Sequence, residues 1–381
     1  MIRYLALDRS SSEIRAEIDD AVRRVIDRAQ FVLGPELERF ERDFSASLGV
    51  AHAIGVGNGL EALELALRAA EVGEGDEVVV AGHTFIATWL AVTRVGAVPV
   101  PIDPDPVTRV ITPDAVAAAV GPRTRAVIPV HIYGVPADGA GIAEVAQRHG
   151  LTVIEDAAQA HGARYHGVPV GTFAHLTAWS FYPGKNLGAL GDGGAVTTDD
   201  SVLAERVRRL RNYGSTTKHE HTLIGTNSRL DEIQAAVLRV KLRHLGDWND
   251  RRAATARRYL EAFDPLPLGL PVVPPWAEPA WHAFVVTSPE RDALAASLLA
   301  GGVETAVHYR IPPHQQVCYA GSQVGAAVLP ETERLHREVL SLPVGPELSP
   351  GEVETVVTAV CRAVGMVGAI RAVPTGSGTA P

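Results

Sequence analysis

The sequence predicts an α/β protein with a large domain, built on a mostly parallel seven-stranded sheet flanked by helices, and a smaller C-terminal α+β domain. Short apolar segments of strand length alternate with amphipathic segments of helical length over most of the chain. This alternation is typical of parallel sheets that are covered by helices on both faces. The length of 381 residues exceeds that of one ordinary domain, which favours two.

The predicted elements follow one another regularly from the N-terminus. Ser10–Ser12 precede an amphipathic segment from Glu13 and are expected to cap a first helix, and a second helix is expected over 35–48. Apolar runs predict seven strands, at 51–56, 77–80, 97–102, 124–130, 152–155, 176–181 and 194–198. Amphipathic segments predict further helices at 60–70, 86–95, 138–149, 200–211 and 229–245.

A change of composition marks the C-terminal part of the chain. Prolines crowd the span 265–275 and indicate the entrance to a second domain, although a helix-to-loop linker near Gly246 is an equal candidate for the boundary. We predict a large domain over 1–245 and a small domain over 246–371. The small domain is expected to contain a strand at 283–287 and helices at 291–299 and 351–364. The small polar residues of 372–381 predict a disordered tail.

The composition argues against several classes of function. A net charge of −9 argues against general nucleic-acid binding, which needs a basic face. Cys318 and Cys361 lack metal-ligand spacing, so no metal site is expected, and two cysteines suit a reducing cytoplasm. The sequence shows no signal-peptide pattern and no apolar run of membrane-spanning length. We therefore expect a cytoplasmic protein without a membrane partner.

Two short motifs point to one chemistry. Lys185 follows Pro183 and Gly184 on a tight turn among uncharged neighbours, and Asp156 ends an apolar strand. A desolvated lysine can bond to an aldehyde, and an aspartate can hold a proton on a pyridine nitrogen. Singly, the two residues are more typical of a solvated surface lysine and of a helix cap. Together they favour pyridoxal phosphate as the cofactor.

Three other segments could bind ligands, and each has a structural alternative. Gly55–Leu63 is a glycine-rich turn that opens a helix, where free amides attract a phosphate; it lacks the P-loop lysine and a third glycine, and a turn without ligand is the alternative. Phe85 could cover a flat heterocycle or fill the core. Asn227 and Ser228 could contact a phosphate or simply cap the next helix.

Two polar segments leave a similar choice. The loop 307–314, Val-His-Tyr-Arg-Ile-Pro-Pro-His, is either a substrate contact or an irregular surface turn. A basic stretch is either a solvated face or a site for a diphosphate, and it consists of Arg208, Arg209, Arg211, Lys218, His219 and His221.

Taken together, the motifs resemble those of the DegT/DnrJ/EryC1/StrS aminotransferases, from about Ser11 to Val364. The resemblance is carried by Asp156-x-x-Gln159-x-His161-Gly162 and by the segments 180–186, 191–194 and 227–232. It implies a pyridoxal phosphate enzyme of fold type I that acts on nucleotide-linked keto sugars. The segment 181–192 resembles the subgroup that aminates C3 of dTDP-3-keto-6-deoxyhexoses in antibiotic-sugar biosynthesis.

The resemblance implies a role for each corresponding residue. Lys185 would bond to the cofactor and carry the proton, and Asp156 would pair with the pyridine nitrogen. The other implied cofactor contacts are Gln159 at the phenolic oxygen, Phe85 on the ring, Ser180, Asn58, Gly59 and Leu60 at the phosphate, and Asn227 from the neighbouring subunit. The implied substrate contacts are Tyr182, His161, His308, Tyr309 and Arg310.

Two positions depart from the family's pattern. Many relatives have Ser-Gly-Thr where this chain has Asn58-Gly59-Leu60, which removes one hydroxyl contact to the phosphate. The usual His-Tyr-Pro is His308-Tyr309-Arg310, which adds a cation near a nucleotide. Because Asn227 would act from the neighbouring subunit, the resemblance also implies a homodimer with shared active sites.

The activity implied is transamination of a dTDP-3-keto-6-deoxyhexose with L-glutamate as the amino donor. A sugar dehydratase of the same family and a 4-keto-sugar aminotransferase are the closest alternatives. Lys185 favours transamination, because dehydratases of the family can carry histidine there. A regulatory protein that only binds the cofactor is a third alternative, and the absence of a helix-turn-helix extension in the sequence argues against it.

Overall fold

The computed structural model describes residues 1–10, 12–217 and 219–371. In these residues the strands are β1 (His52–Val56), β2 (Glu77–Ala81), β3 (Val98–Ile102), β4 (Thr124–Ile128), β5 (Thr152–Asp156), β6 (Arg164–Tyr165), β7 (Val168–Pro169), β8 (Leu176–Ser180), β9 (Gly194–Thr198), β10 (Ser215–Thr217), β11 (Glu220–His221), β12 (Ala277–Glu278), β13 (Phe284–Thr287) and β14 (Val339–Leu342). The α-helices are α1 (Leu7–Ser10), α2 (Arg15–Arg28), α3 (Pro35–Leu48), α4 (Gly59–Ala69), α5 (Ala87–Arg94), α6 (Pro113–Ala119), α7 (Gly139–His149), α8 (Ser201–Leu210), α9 (Glu232–Leu242), α10 (Leu245–Phe263), α11 (Arg291–Ala300), α12 (Pro330–Glu338) and α13 (Pro350–Arg371).

The central sheet has seven strands in the order β1-β9-β8-β5-β4-β2-β3. Six of them run in the same direction, and β9 alone of the seven runs antiparallel to its neighbours β1 and β8. This confirms the predicted α/β fold with a mostly parallel seven-stranded sheet. The parallel strands end at the same edge, so the residues that follow β2, β5 and β8 meet there.

Side chains that alternate along one strand enter two different cores. On β2, Val78 and Val80 pack in a cluster with Leu63 of α4, whereas Val79 packs in another cluster with Ile142 of α7. Successive strand residues point to opposite faces of a sheet. Helices therefore cover both faces, as the apolar runs of the sequence predict.

The region after residue 229 differs from the prediction. Instead of one helix over 229–245 there are two, α9 and α10. The linker predicted near Gly246 is wrong, because Gly246 lies inside α10. Glycine weakens a helix only modestly, and buried residues of α10 such as Trp248 and Tyr259 stabilise this helix through packing.

The predicted cap of the first long helix is not found in the described part of Ser10–Ser12, since Ser11 lies outside the described residues. Helix α2 begins at Arg15, and no side chain of the described residues caps its N-terminus. The hydroxyl of Ser12 instead donates to the carbonyl oxygen of Arg9 at 2.7 Å. The other predicted helices and strands agree with the structure within about two residues, except that α13 extends to Arg371.

The C-terminal part has its own core and is α+β, as predicted. Strands β13 and β14 pair antiparallel, and Phe284 on β13 and Leu340 on β14 pack in one apolar cluster with Tyr259 of α10 and Val356 of α13. Ile2 from the N-terminus joins this cluster. The division at 245/246 remains a prediction, and the predicted tail at 372–381 lies outside the described residues. None of the described helices has the length and apolarity needed to span a membrane.

Candidate active site

A cavity of about 460 Å³ opens where β2, β5 and β8 end. Its volume is within the range of small-molecule sites. Most of the predicted site residues line it, namely Asn58, Gly59, Leu60, Phe85, Asp156, Gln159, Ser180, Tyr182, Lys185, His308 and Tyr309. The sheet edge thus brings together residues that are far apart in the sequence.

Lys185 lies on a tight turn after β8. Its amide donates to the carbonyl oxygen of Tyr182 at 2.8 Å. The turn is closely packed, because a Cβ atom at Gly188 would collide with the carbonyl oxygen of Pro183. Burial lowers the pKa of Lys185 to about 8, although the negative charge of Asp156 acts in the opposite direction and raises it. A larger share of its amine is therefore neutral, and nucleophilic, near neutral pH.

Asp156 is the last residue of β5 and is only 6% exposed. Its Oδ2 accepts a hydrogen bond from Thr88 Oγ1 at 2.8 Å, and its Oδ1 accepts one from the amide of Ala158 at 3.2 Å. The two donors thus engage both carboxylate oxygens. They also fix its orientation at the cavity, so that it can accept a hydrogen bond from a protonated ring nitrogen.

Gln159 and Tyr309 form one wall of the cavity and are held by Tyr133. Gln159 Oε1 accepts from the amide of Tyr133 at 2.6 Å, and Gln159 Nε2 donates to the Tyr309 hydroxyl at 3.0 Å. The Tyr133 hydroxyl donates to the carbonyl oxygen of His308 at 2.5 Å. Tyr133 has φ = 60°, an uncommon backbone conformation for a residue other than glycine. In this conformation Tyr133 contacts Gln159 through its amide and His308 through its hydroxyl.

Phe85 lies beside Tyr309 of this wall. Its ring centroid is 5.1 Å from that of Tyr309, and 52% of its surface is exposed. The alternative that Phe85 fills the core is therefore wrong. An exposed aromatic face beside the cavity is suited to cover a flat ring.

The start of α4 forms an anion-binding cradle. Asn58 caps the helix by accepting from the amide of Glu61 at 2.9 Å. The amides of Gly59 and Leu60, which lack partners in the first turn of a helix, donate to no acceptor in the described part of the chain. A Cβ atom at Gly59 would lie 2.6 Å from the Cβ of Ser180. Glycine therefore lets the free amides and the Ser180 hydroxyl surround one small anion.

These features fit pyridoxal phosphate. The cavity combines a lysine with a lowered pKa, a buried carboxylate, an exposed aromatic face and a cradle for one phosphate. Lys185, Asp156, Phe85 and the Gly59–Leu60 amides supply these four groups. They correspond to the aldehyde, the ring nitrogen, the ring face and the phosphate of the cofactor.

Three predicted site residues lie outside the cavity lining. His161 is buried behind it, with its ring 5.3 Å from Trp179 and 5.7 Å from Phe181. The predicted substrate contact at His161 is therefore not supported, because its ring packs in the core. Arg310 is exposed and lies 3.5 Å from Asp292.

Asn227 is exposed and does not line the cavity of its own chain. Its backbone bridges to Asn212, and the neighbouring Ser228 accepts a hydrogen bond from the amide of Gly57 at 3.0 Å. A contact with the cofactor of a second subunit remains a prediction.

The basic stretch does not form one surface. Arg211 is buried and pairs with Glu41, whereas Arg209 pairs with Glu205 on the surface. The predicted contribution of Lys218 lies outside the described residues. In the described part of the stretch, these two pairs favour a structural role.

Several residues of the site escaped sequence analysis. Thr88, Tyr133 and Arg252 carry no motif of their own, yet they hold or line the cavity. Asn186 is a further case, since its side-chain amide donates to Asn249 at 2.9 Å and to the carbonyl of Ala280 at 2.7 Å. The helical spacing of the buried residues of α10, which begins at Leu245, was the signal that could have revealed Arg252.

Comparison with known proteins identifies close relatives. The model of the DegT/DnrJ/EryC1/StrS aminotransferase family matches residues 12–361. The chain is 51% identical to the dTDP-3-amino-3,4,6-trideoxy-alpha-D-glucose transaminase of Streptomyces venezuelae, over 94% of this chain and 95% of that protein. It is 52% identical to the erythromycin biosynthesis sensory transduction protein EryC1 of Saccharopolyspora erythraea, over 91% and 95% of the two chains. The solved structure of S. venezuelae DesV in complex with a ketimine intermediate has a TM-score of 0.93 and 50% identity, and the match covers 95% of this chain and 98% of that one.

Proposed function

This chain belongs to the DegT/DnrJ/EryC1/StrS aminotransferase family, and from this premise we propose that it aminates C3 of a dTDP-linked 3-keto-6-deoxyhexose. The observation that carries the proposal is one cavity lined by Lys185, Asp156 and the phosphate cradle of α4. The protein is a pyridoxal phosphate-dependent aminotransferase. We further propose that L-glutamate is the amino donor.

The cofactor, when bound, carries the amino group from donor to acceptor and draws electrons from the reacting carbon. The residues of this chain would position it. Asp156, oriented by Thr88, would keep the ring nitrogen protonated. Phe85 would cover one ring face, and the amides of Gly59 and Leu60 would hold the phosphate.

Lys185 would hold the cofactor and then move the proton. With a pKa of about 8, its Nζ can accept a proton from a reacting carbon and return it near neutral pH. Lys241 supports this turn from behind, since its ammonium donates to the carbonyl of Gly188 at 2.7 Å. The turn therefore keeps Nζ of Lys185 facing the cavity.

The lowered pKa of Lys185 predicts how the apoprotein takes up the cofactor. Only the neutral amine attacks the aldehyde, so the attachment rate should rise about tenfold from pH 6 to pH 7 and level off above a pH of about 9. Stopped-flow absorbance of apoprotein mixed with pyridoxal phosphate measures this rate. The attachment rate of the protein is divided by that of a free lysine derivative. This corrects for the pH dependence that comes from ionisation of the cofactor itself. The ratio of the two rates should fall about tenfold from pH 7 to pH 9, because the free amine, with its higher pKa, keeps gaining reactivity there. A ratio that stays constant over this range would contradict the lowered pKa.

The mouth of the cavity is suited to a large substrate. Tyr182 is 57% exposed there, and His308 and Tyr309 line the opposite side. A nucleotide bound at this mouth would be remote from the reacting carbon, and its binding energy could be used to orient the sugar. Removing the nucleotide should therefore reduce turnover as well as affinity.

A panel of substrates tests the proposed function. The protein is incubated with ¹⁵N-labelled L-glutamate and with dTDP-linked 3-keto and 4-keto hexoses, and the products are identified by NMR and mass. We expect ¹⁵N at C3 of a 3-keto-6-deoxyhexose. Label at C4, or a dehydrated sugar without nitrogen, would refute the proposal and support one of the two enzymatic alternatives.

We also propose a homodimer in which each site is completed by Asn227 of the other subunit. Support comes from the exposed Asn227 and from exposed apolar side chains at Ile26, Phe31, Val32 and Leu190. Large apolar side chains that are exposed in one subunit are typical of subunit interfaces. Light scattering should give twice the mass of one chain.

Mixing two inactive variants tests this sharing. Asn227→Asp places a carboxylate against the phosphate, and Lys185→Ala removes the reactive amine. If Asn227 acts across the interface, each mixed dimer has one intact site, so mixing the unfolded variants and refolding them should restore about a quarter of wild-type activity. Each variant refolded alone is the control. No recovery in the mixture, despite mixed dimers, would mean that Asn227 acts within its own chain, and wild-type activity of Asn227→Asp refolded alone would mean that it has no role.

A further inference from the structure

A buried arginine without an ionic partner lines the active-site cavity. Arg252 on α10 is 7% exposed and lines the same cavity as Lys185. Its one hydrogen bond in the described part of the chain is a long one, from Nη1 to the carbonyl of Trp281 at 3.4 Å. Its Nε is buried without a partner, and no carboxylate of the described residues lies within 4.0 Å of its guanidinium.

The neighbouring arginine on the same helix shows the usual arrangement. Arg251 faces solvent and pairs with Glu13 at 2.9 Å and with Asp247 at 2.8 Å. Arg252, in contrast, is surrounded by polar groups that do not neutralise it. Burial lowers its pKa, and the charge of Glu347 and the Tyr4 hydroxyl only partly oppose this effect. An unpaired buried cation is unfavourable, and an anionic ligand would relieve it.

Arg252 shares the main cavity with the phosphate cradle but also extends to a place that the cradle does not reach. Arg252 also lines a second, small cavity together with Lys185 and Asn186, and no residue of the cradle at Asn58–Leu60 reaches that cavity. Asn249, one helical turn before Arg252, accepts a hydrogen bond from Asn186 at 2.9 Å. Helix α10 therefore fixes Arg252 relative to the lysine turn.

We propose that Arg252 binds a carboxylate of the amino donor; this inference rests on the proposed aminotransferase function. An amino acid must bring its α-carbon to the cofactor beside Lys185, and its carboxylate is one bond from that carbon. A guanidinium binds a carboxylate with two parallel hydrogen bonds. The keto sugar has no carboxylate, and its diphosphate would lie at the mouth near Tyr182. Arg252 therefore serves the donor and not the sugar.

Variants at two adjacent positions test this assignment. Arg252→Gln removes the charge, Arg252→Lys keeps the charge but not the paired hydrogen bonds, and Arg251→Gln is the exposed control. Calorimetry on the cofactor-loaded protein gives the Kd of glutarate, an unreactive dicarboxylate, and the Kd of dTDP. The melting temperature and the cofactor absorbance report the fold and the cofactor site.

We expect Arg252→Gln to raise the Kd of glutarate by at least about tenfold, with a smaller rise for Arg252→Lys and none for Arg251→Gln. The Kd of dTDP and the cofactor spectrum should be unchanged in all three. An unchanged Kd of glutarate in Arg252→Gln overturns the proposal, as does an equal loss of dTDP binding, which indicates a structural role. In either case the wild-type protein still aminates the sugar, whereas failure of the wild type to do so would refute the proposed function itself.

Discussion

Replacement of Lys185 by alanine is expected to reduce turnover by roughly ten-thousandfold or more, since it removes both the attachment point of the cofactor and the base. The fold should persist, because the Lys185 side chain donates no hydrogen bond to another residue in the described part of the chain, and the turn is fixed by the Tyr182 carbonyl. Steady-state rates and circular dichroism measure the two effects. The cofactor should still bind reversibly through the phosphate cradle and Asp156.

Lys241 provides a comparison for this variant. It is buried, and burial lowers its pKa to about 8 as well, but it does not line the main cavity. Lys241→Met should therefore keep the covalent attachment of the cofactor, with at most a modest loss of rate from the loosened Gly188 turn. If Lys185→Ala kept substantial turnover while Lys241→Met lost it, the assignment of the reactive lysine would be wrong.

Replacement of Asp156 by asparagine is expected to reduce the rate by about a hundredfold or more, because the neutral amide cannot hold a proton on the ring nitrogen. Asparagine has the same shape, and its carbonyl oxygen can accept the hydrogen bond from Thr88. The fold and the affinity for the cofactor phosphate should therefore change little. Single-turnover rates for each half of the reaction measure the loss.

Thr88→Val is the matched control for the Asp156 variant. It removes one hydrogen bond to the carboxylate but leaves the negative charge. We expect a loss well below that of Asp156→Asn. Near-normal rates in Asp156→Asn would contradict the electrostatic role, and equal losses in both variants would indicate that orientation matters more than charge.

Residues that follow a strand of the parallel sheet were predictable from the sequence. Asp156 and Lys185 each come after an apolar run, and the ends of parallel strands meet at one edge. The cradle at Gly59 was recognisable because a glycine-rich turn opens a helix. These motifs are local, and their chemistry needs no knowledge of distant contacts.

Residues that depend on tertiary contacts were not predictable in this way. Tyr133 supports Gln159 and His308 through contacts that span 26 and 175 positions of the sequence. In the sequence, Arg252 is one of two adjacent arginines that would both be expected on the surface. Its position on α10 places it among the buried residues of this helix, whereas Arg251 is exposed. His161 belongs to a motif, yet its ring packs against Trp179 in the core.

The central claim is that the position of Lys185, and not burial alone, makes it the residue that bonds to the cofactor. The chain contains three lysines, Lys185, Lys218 and Lys241, so peptide mapping can distinguish them all. The cofactor-loaded protein is treated with borohydride, which makes the bond between cofactor and lysine permanent, and the digested peptides are weighed by mass spectrometry. We predict the added mass on the peptide that contains Lys185 and on no other. Added mass on the peptide of Lys241 or Lys218 would contradict the account.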